Sequence, residues 1–276
     1  MDPVEHQVSV KLSRVATMTI PFGRAVQRAG VDSKAELYGG KLLVDNMDAI
    51  WTPKASVTIT TPAGIVGNCN LMSVAVGFTS GLIATKDITA APLVDLSPYE
   101  AIGFLIKPTI AIAAGVLQFG WDKGSTDMSG APVYLDLPAL EAGKWYFASL
   151  PFSGVLADRQ DVLSIGLNAT SDPGTVDIAV DEMRAGALSN GMSGIVNNDQ
   201  AKENDEAEQY ETMLVLARGE MRAQLATGIT CVSEQMLYPV PGTGEFTTTE
   251  IVASGPAVRA SQDMATAGSG VRAIVG

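Results

Sequence analysis

The stretch Ala101-Ile102-Gly103-Phe104-Leu105-Ile106-Lys107 places Ile102, Phe104 and Ile106 on one face of an extended chain, because successive side chains alternate across a β-strand. Val176-Asp177-Ile178-Ala179-Val180-Asp181-Glu182-Met183-Arg184 repeats the pattern with Val176, Ile178 and Val180. Outward from these two stretches, short runs rich in Val, Ile, Phe and Thr recur, and strands are expected near residues 41–45, 56–61, 69–76, 82–88, 101–107, 116–121, 133–137, 144–150, 163–168 and 175–184. Turn chemistry separates them, as in Thr61-Pro62-Ala63-Gly64, Asp122-Lys123-Gly124-Ser125 and Ser171-Asp172-Pro173-Gly174. No helical period lies between the strands, which excludes βαβ units and a parallel sheet. The expected fold is mainly β: an antiparallel jelly-roll β-sandwich over residues 41–187, with an extended N-terminal arm and a C-terminal helix plus extended tail.

Several of these strands are apolar on both faces. Trp145 and Phe147 alternate with Tyr146, Ala148 and Leu150, and Leu117, Phe119 and Trp121 follow Val116. A free sandwich turns one face of each strand to water, so part of the outer surface is expected to be covered by an arm or a neighbour.

The flanks read differently. Residues 1–40 are slightly basic, carry the breakers Pro21, Gly23, Gly39 and Gly40, and have too few apolar residues for a core of their own; they are expected to form an arm ordered by another subunit. Residues 188–198 read as a linker. Residues 199–227 read as an amphipathic helix, with Ala207, Tyr210, Leu214, Ala217, Met221 and Leu225 on one stripe. Acids crowd its first half and Arg218 and Arg222 its end, which suits the helix dipole. Residues 228–276 read as an extended tail, also ordered by neighbours.

Across 276 residues the net charge is −12, which disfavours phosphate binding. No stretch is apolar enough to span a membrane and the N-terminus has no secretory pattern, so synthesis in a cytoplasm is expected. Cys69 and Cys231 sit in no C-x-x-C arrangement and read as reduced, buried thiols. Catalytic signals are missing: His6 is the sole histidine, and no nucleophile elbow, phosphate loop or H-E-x-x-H occurs. The chain is expected not to be an enzyme; a glycosidase or lyase is the catalytic rival, and nothing but the abundance of acids speaks for it.

Two segments at the ends of the sandwich, Leu43-Val44-Asp45-Asn46-Met47-Asp48-Ala49-Ile50-Trp51 and the closing strand from Val176 to Arg184, resemble the carbohydrate-binding-module and galactose-binding-like jelly rolls. Gly103-Phe104-Leu105-Ile106-Lys107, Leu137 to Trp145 and Ser164-Ile165-Gly166-Leu167 resemble that family too. The resemblance covers about half the chain. It implies a structural calcium between first and last strands, with Asp45 and Asp181 as the matching carboxylates and Asp48 or Glu182 as helpers; no other cofactor is implied. Sugar binding in that family uses aromatic platforms, whereas Trp51, Trp121 and Trp145 sit in core-like contexts here. Sandwiches of this type flanked by arms look like bacteriophage virion proteins. That resemblance implies a structural component of a tailed-phage particle, a capsid cement or decoration protein. It would be made in the host cytoplasm, located in the virion, homo-oligomeric, and bound to the major capsid protein, not to nucleic acid or membrane. The alternatives are a tail or neck protein and a carbohydrate-binding module aiding host attachment.

Overall fold

Alternation of apolar and polar residues sets the strands between residues 42 and 188. They are β1 (Leu42–Asp45), β2 (Thr52–Pro53), β3 (Val57–Thr60), β4 (Asn70–Val74), β5 (Gly81–Asp87), β6 (Ala101–Pro108), β7 (Leu117–Asp122), β8 (Val133–Asp136), β9 (Trp145–Pro151), β10 (Ser164–Ala169) and β11 (Val176–Gly186). The computed structural model describes residues 10–16, 20–21, 25–28, 34–90, 92–188, 194–196, 206–207, 212–252, 258–260 and 270–275. The chain divides into two units: Leu42–Leu188, continuous in sequence, and a second drawn from Met1–Lys41 and Ser189–Gly276.

In Leu42–Leu188 two antiparallel sheets make a jelly-roll sandwich. One runs β9-β6-β11-β4-β3, with β1 also paired to β11; the other runs β8-β7-β10-β5-β2. Apart from the neighbouring pairs β3–β4 and β7–β8, each strand is followed in sequence by one in the other sheet, so the core is closed by residues far apart in sequence. Phe104 of β6 meets Phe119 of β7 with ring centroids 5.5 Å apart, and Ile102, Ile106, Leu167 and Met183 are buried around them. Trp51, Trp121 and Trp145 are all buried, two of them with the indole N–H donated inward: Trp51 Nε1 to Asp45 Oδ2 at 2.8 Å and Trp121 Nε1 to the Asp158 carbonyl at 2.8 Å. Both faces of β6 and β9 are buried, as their doubly apolar sequences imply.

The second unit corrects the reading of the flanks. Val10–Ala16, expected in an arm ordered by another subunit, pairs antiparallel with Thr212–Gln224, inside the segment expected to be a helix. That stretch is a strand of 13 residues. Its apolar stripe at helical spacing coexists with a period-two pattern, because Arg218, Glu220, Arg222 and Gln224 alternate with small or apolar residues. Gly219 in its middle and the β-branched Thr212 and Val215 favour the extended form. Residues 199–205 and 208–211 of the expected helix lie outside the described residues. Gly194–Val196, expected in a linker, is a strand between Ala25–Arg28 and Thr212–Gln224. Val10–Ala16, Lys34–Leu37, Ala25–Arg28, Gly194–Val196 and Thr212–Gln224 each pair with the next, and the last pairs back with the first, closing a ring. Gly270–Val275, Val258–Ala260, Met236–Pro239 and Phe246–Thr247 extend it, so the expected tail is also in sheet. Entropy argued that neither end could fold alone; together the two ends supply one another's strand partners. Among the described residues the only helix is the short 3₁₀ turn Leu156–Arg159, and none is long and apolar enough to cross a membrane.

Candidate functional site

Three strands of the second sheet present a polar ladder away from the core. In β7, Leu117, Phe119 and Trp121 are buried, so alternation turns Gln118 outward. Gln118 lies opposite Asp136 of β8 on one side and Asn168 of β10 on the other. Gln118 Nε2 donates to Asp136 Oδ1 at 2.7 Å, and Asn168 Nδ2 donates to Gln118 Oε1 at 2.9 Å. Each side chain therefore fixes the next, while Asp136 Oδ2, Asn168 Oδ1 and one N–H of each amide take no part in these two bonds. At a strand spacing of about 4.8 Å, the ladder spans about 10 Å.

Beside the ladder lies a trough made by two glycines. Gly120 and Gly166 are cross-strand partners. A Cβ on Gly120 would stand 2.5 Å from Tyr134 Cδ1 and 2.8 Å from Met128 Cε, and one on Gly166 would stand 3.2 Å from Met128 Cγ. The Tyr134 ring and the Met128 side chain thus occupy the space that two side chains would fill. Tyr134 is half-buried; burial first, and then the charge of Asp122, push its phenol pKa up. The loop 123–131 carries Met128 and is tied to the sheet. The Asp122 carboxylate accepts from Gly124 N at 2.6 Å, Ser125 Oγ at 2.8 Å and Gly130 N at 2.8 Å. Ser164 Oγ accepts from Met128 N at 3.2 Å and donates to the Ser125 carbonyl at 2.8 Å. Gln118, Tyr134, Asp136 and Asn168 were not singled out by the sequence. The signal was there in Leu117-Gln118-Phe119 and Leu167-Asn168-Ala169, where one amide interrupts an otherwise apolar run on its outward phase.

The four acids expected around a calcium are placed near the β1–β11 end of the sandwich but do not converge. Asp45 lies opposite Met183; its Oδ1 accepts from Met47 N at 2.9 Å and its Oδ2 from the Trp51 indole. Asp48 accepts from Asn46 Nδ2 at 2.6 Å and Asn68 Nδ2 at 3.3 Å. Glu182 pairs with Arg184 at 2.6 Å; burial pushes its pKa up, Arg184 opposes that, and Asp45 and Asp48 add to it. Asp181 turns elsewhere: its Oδ2 accepts from Ile65 N at 2.6 Å and Val66 N at 2.9 Å. Its Oδ1 is buried with no partner. Calcium needs six or more oxygen ligands. Here N–H donors and Arg184 occupy the carboxylates, and among the described residues no group of three or more acids, histidines or cysteines could hold a metal. The donor set does not fit a cation shared by Asp45 and Asp181. The lone Asp181 Oδ1 fits a proton instead: burial, with help from Glu182 and against the N–H groups of Val66 and Ile65, pushes its pKa up to about 6. Cys69, close by, is buried and in no disulfide, and neither is the buried Cys231.

No family profile and no curated protein match the sequence. Among solved structures, the neighbours include a xylan-binding family 22 carbohydrate-binding module from Paenibacillus barcinonensis, 16% identical, covering 55% of this chain and 99% of its own, with a TM-score of 0.35. A family 30 carbohydrate-binding module is 12% identical, covers 60% of this chain and 89% of its own, and has a TM-score of 0.35. An exo-β-agarase is 10% identical over 54% of this chain, which spans only 25% of the agarase's length, again with a TM-score of 0.35. Likenesses at this level carry nothing about ligand or activity, and the β-sandwich stands on this chain's own strand pairing.

Proposed function

We propose that Leu42–Leu188 is a non-catalytic saccharide-binding module whose ligand lies across β8, β7 and β10. The observation that carries the reading is the Asp136–Gln118–Asn168 ladder beside Tyr134. Planar amides and a carboxylate, each held by its neighbour, present oriented donors and acceptors to hydroxyl groups without losing further side-chain freedom. Tyr134 adds an apolar ring with a polar tip. A ladder of about 10 Å accommodates roughly two pyranose rings lying across the strands. Its one carboxylate stands with two neutral amides, which favours an uncharged glycan over an acidic one. The capsid role expected from the sequence drew in part on terminal arms without partners inside the chain, and the pairing of Val10–Ala16 with Thr212–Gln224 takes away that part of its support.

Calorimetric titration of the full chain with neutral hexasaccharides of glucan, xylan and mannan type tests the reading. At least one should bind with Kd at or below about 1 mM, and Tyr134→Ala and Gln118→Ala should each weaken it by about tenfold or more. Absence of binding across the panel, or binding indifferent to both substitutions, would overturn it. Particle-scale oligomers in sedimentation, with no glycan binding, would return the reading to assembly.

A further inference from the structure

A second polar surface lies on the sandwich's other sheet. Thr58 of β3, Ser73 of β4 and Asp177 of β11 are in register, Thr58 opposite Ser73 and Ser73 opposite Asp177. Their neighbours Val57, Val74 and Val176 are buried, so alternation turns the three polar side chains away from the core. With Ser56, Ala75 and Thr175 they line a cavity of about 460 Å³, within the range of small-ligand sites.

Asp177 differs from most aspartates of the sandwich, Asp161 being the other without a partner among the described residues. Asp45, Asp48, Asp87, Asp95, Asp122, Asp127, Asp136, Asp158, Asp172 and Asp181 each accept a hydrogen bond or ion pair from within the sandwich. The Asp177 backbone is clamped, its N–H to Thr109 Oγ1 at 3.0 Å and its carbonyl to Thr109 N at 2.9 Å. Its carboxylate has no partner among the described residues, nor have the hydroxyls of Ser56, Thr58, Ser73 and Thr175. Rigid backbone thus presents one uncompensated carboxylate and four uncommitted hydroxyls to a single cavity.

We propose that this cavity binds an amino sugar, with its primary ammonium at Asp177 and Ser73 and its ring hydroxyls toward Thr58 and Ser56. An ammonium carries three donors and no acceptor. Neighbouring strands about 4.8 Å apart let it bridge the Asp177 carboxylate and the Ser73 hydroxyl, while Thr58, about 10 Å from Asp177, is within reach of a hydroxyl on the opposite side of the ring. A net charge of −12 draws cations toward the protein. No aromatic residue lines the cavity, so charge and hydroxyl bonding, not ring stacking, would set the affinity. Sheet and chemistry both differ from those of the neutral-glycan face, and the two proposals stand or fall separately.

The test is titration of the full chain, followed by calorimetry and by amide chemical shifts, with glucosamine tetramer, its N-acetylated counterpart and spermidine. Glucosamine tetramer should bind, shift the amides of β3, β4 and β11, and lose affinity when salt is raised to about 0.5 M. The N-acetylated tetramer, without its charge, should bind about tenfold more weakly or not at all. Asp177→Asn should weaken the glucosamine tetramer about tenfold and Ser73→Ala less. No binding at millimolar concentration would overturn the proposal, as would equal affinity in Asp177→Asn. Spermidine binding as tightly as the sugar would also overturn it, because charge alone would then explain the attraction.

Discussion

Two loops of the sandwich are each fastened by one buried aspartate, and they are fastened differently. Loop 123–131 closes on Asp122, whose Oδ1 accepts from Gly124 N and whose Oδ2 accepts from Ser125 Oγ and Gly130 N. The turn at residues 64–66 closes on Asp181, whose Oδ2 takes both N–H groups while Oδ1 takes none. Exposure is 1% for Asp122 and 0% for Asp181, but Asp181 has far more protein packed around it. Their acidities part accordingly. Burial would raise Asp122, but donors from Gly124, Ser125, Gly130 and Ala131 outweigh it and hold the acid below its ordinary range. For Asp181 burial wins, and the pKa rises to about 6. What decides the sign is the balance between depth of burial, greater at Asp181, and the number of donors meeting the two oxygens, greater at Asp122.

The largest effect should come from breaking the well-satisfied anchor. Asp122→Ala removes the acceptor for two backbone N–H groups and one hydroxyl, and frees the loop that carries Met128. Bonds to a charged acceptor are stronger than neutral ones, and a loss of about 4 kcal/mol is expected from chemical denaturation at pH 7. A loss under about 1 kcal/mol would mean that solvent replaces those bonds and that the loop is not held by Asp122.

The under-satisfied anchor should respond with the opposite sign. A carboxyl whose folded pKa is raised contributes stability that is fully present below its unfolded value, near 3.8, and is lost as pH rises through about 6. The loss across that window should be about 3 kcal/mol. Asp181→Asn keeps an oxygen for Ile65 N and Val66 N but cannot ionise. The variant should match the parent near pH 4 and exceed it at pH 7.5. Denaturation at several pH values checks this; parallel stability profiles for the two proteins would show that Asp181 is not the titrating group.

How much of this was legible in the sequence follows from where the partners lie. Most strands of the sandwich announce themselves locally: Ile102, Phe104 and Ile106 alternate, and Ser171-Asp172-Pro173-Gly174 marks the turn before β11. Thr52–Pro53 was missed because two residues carry no period. Thr212–Gln224 was misread because Leu214, Ala217, Met221 and Leu225 satisfy a helical spacing, while the partner that makes the segment a strand, Val10–Ala16, lies about two hundred residues away. The candidate sites divide along the same line. Asp45 and Asp181 were visible as strand acids, but the N–H groups that occupy them belong to backbone and to Trp51. The ladder of Gln118, Asp136 and Asn168 exists only through register between strands, which a sequence does not display.

Glycines offer a smaller and sharper cut at the same comparison, because each loop brings one against its aspartate. A Cβ on Gly130 would stand 2.7 Å from Asp122 Oδ2. A Cβ on Gly64 would collide with Asp181 Oδ2 and stand 3.0 Å from Cys69 Cβ. Either Gly→Ala change should cost about 2 kcal/mol through forced displacement. The two should differ in coupling. Gly130→Ala should cost almost nothing once Asp122→Ala has removed the carboxylate, because that carboxylate supplies all the atoms nearest its Cβ. Gly64→Ala should be relieved only in part by Asp181→Ala, because Cys69 Cβ remains close. A double-mutant cycle at each site measures this, and a larger relief at Gly64 than at Gly130 would overturn it.

The smallest stability effect should fall where the functional effect is largest. Among the described residues the side chains of Gln118, Asp136 and Asn168 bond only to one another, on the outward face of β7, β8 and β10. Water can replace each of those bonds when one member is removed, since Asp136 is exposed and Gln118 and Asn168 are half-buried. Gln118→Ala should therefore move stability by no more than about 0.5 kcal/mol. It should nonetheless unfix Asp136 and Asn168, the two ends of the ladder, and weaken glycan binding about tenfold. That separation distinguishes the ladder from the two aspartate anchors, whose loss is felt in folding. Should Gln118→Ala instead cost as much stability as Asp122→Ala, the ladder would be a third fastening of the sheet, and its hydrogen bonds would be explained without any ligand.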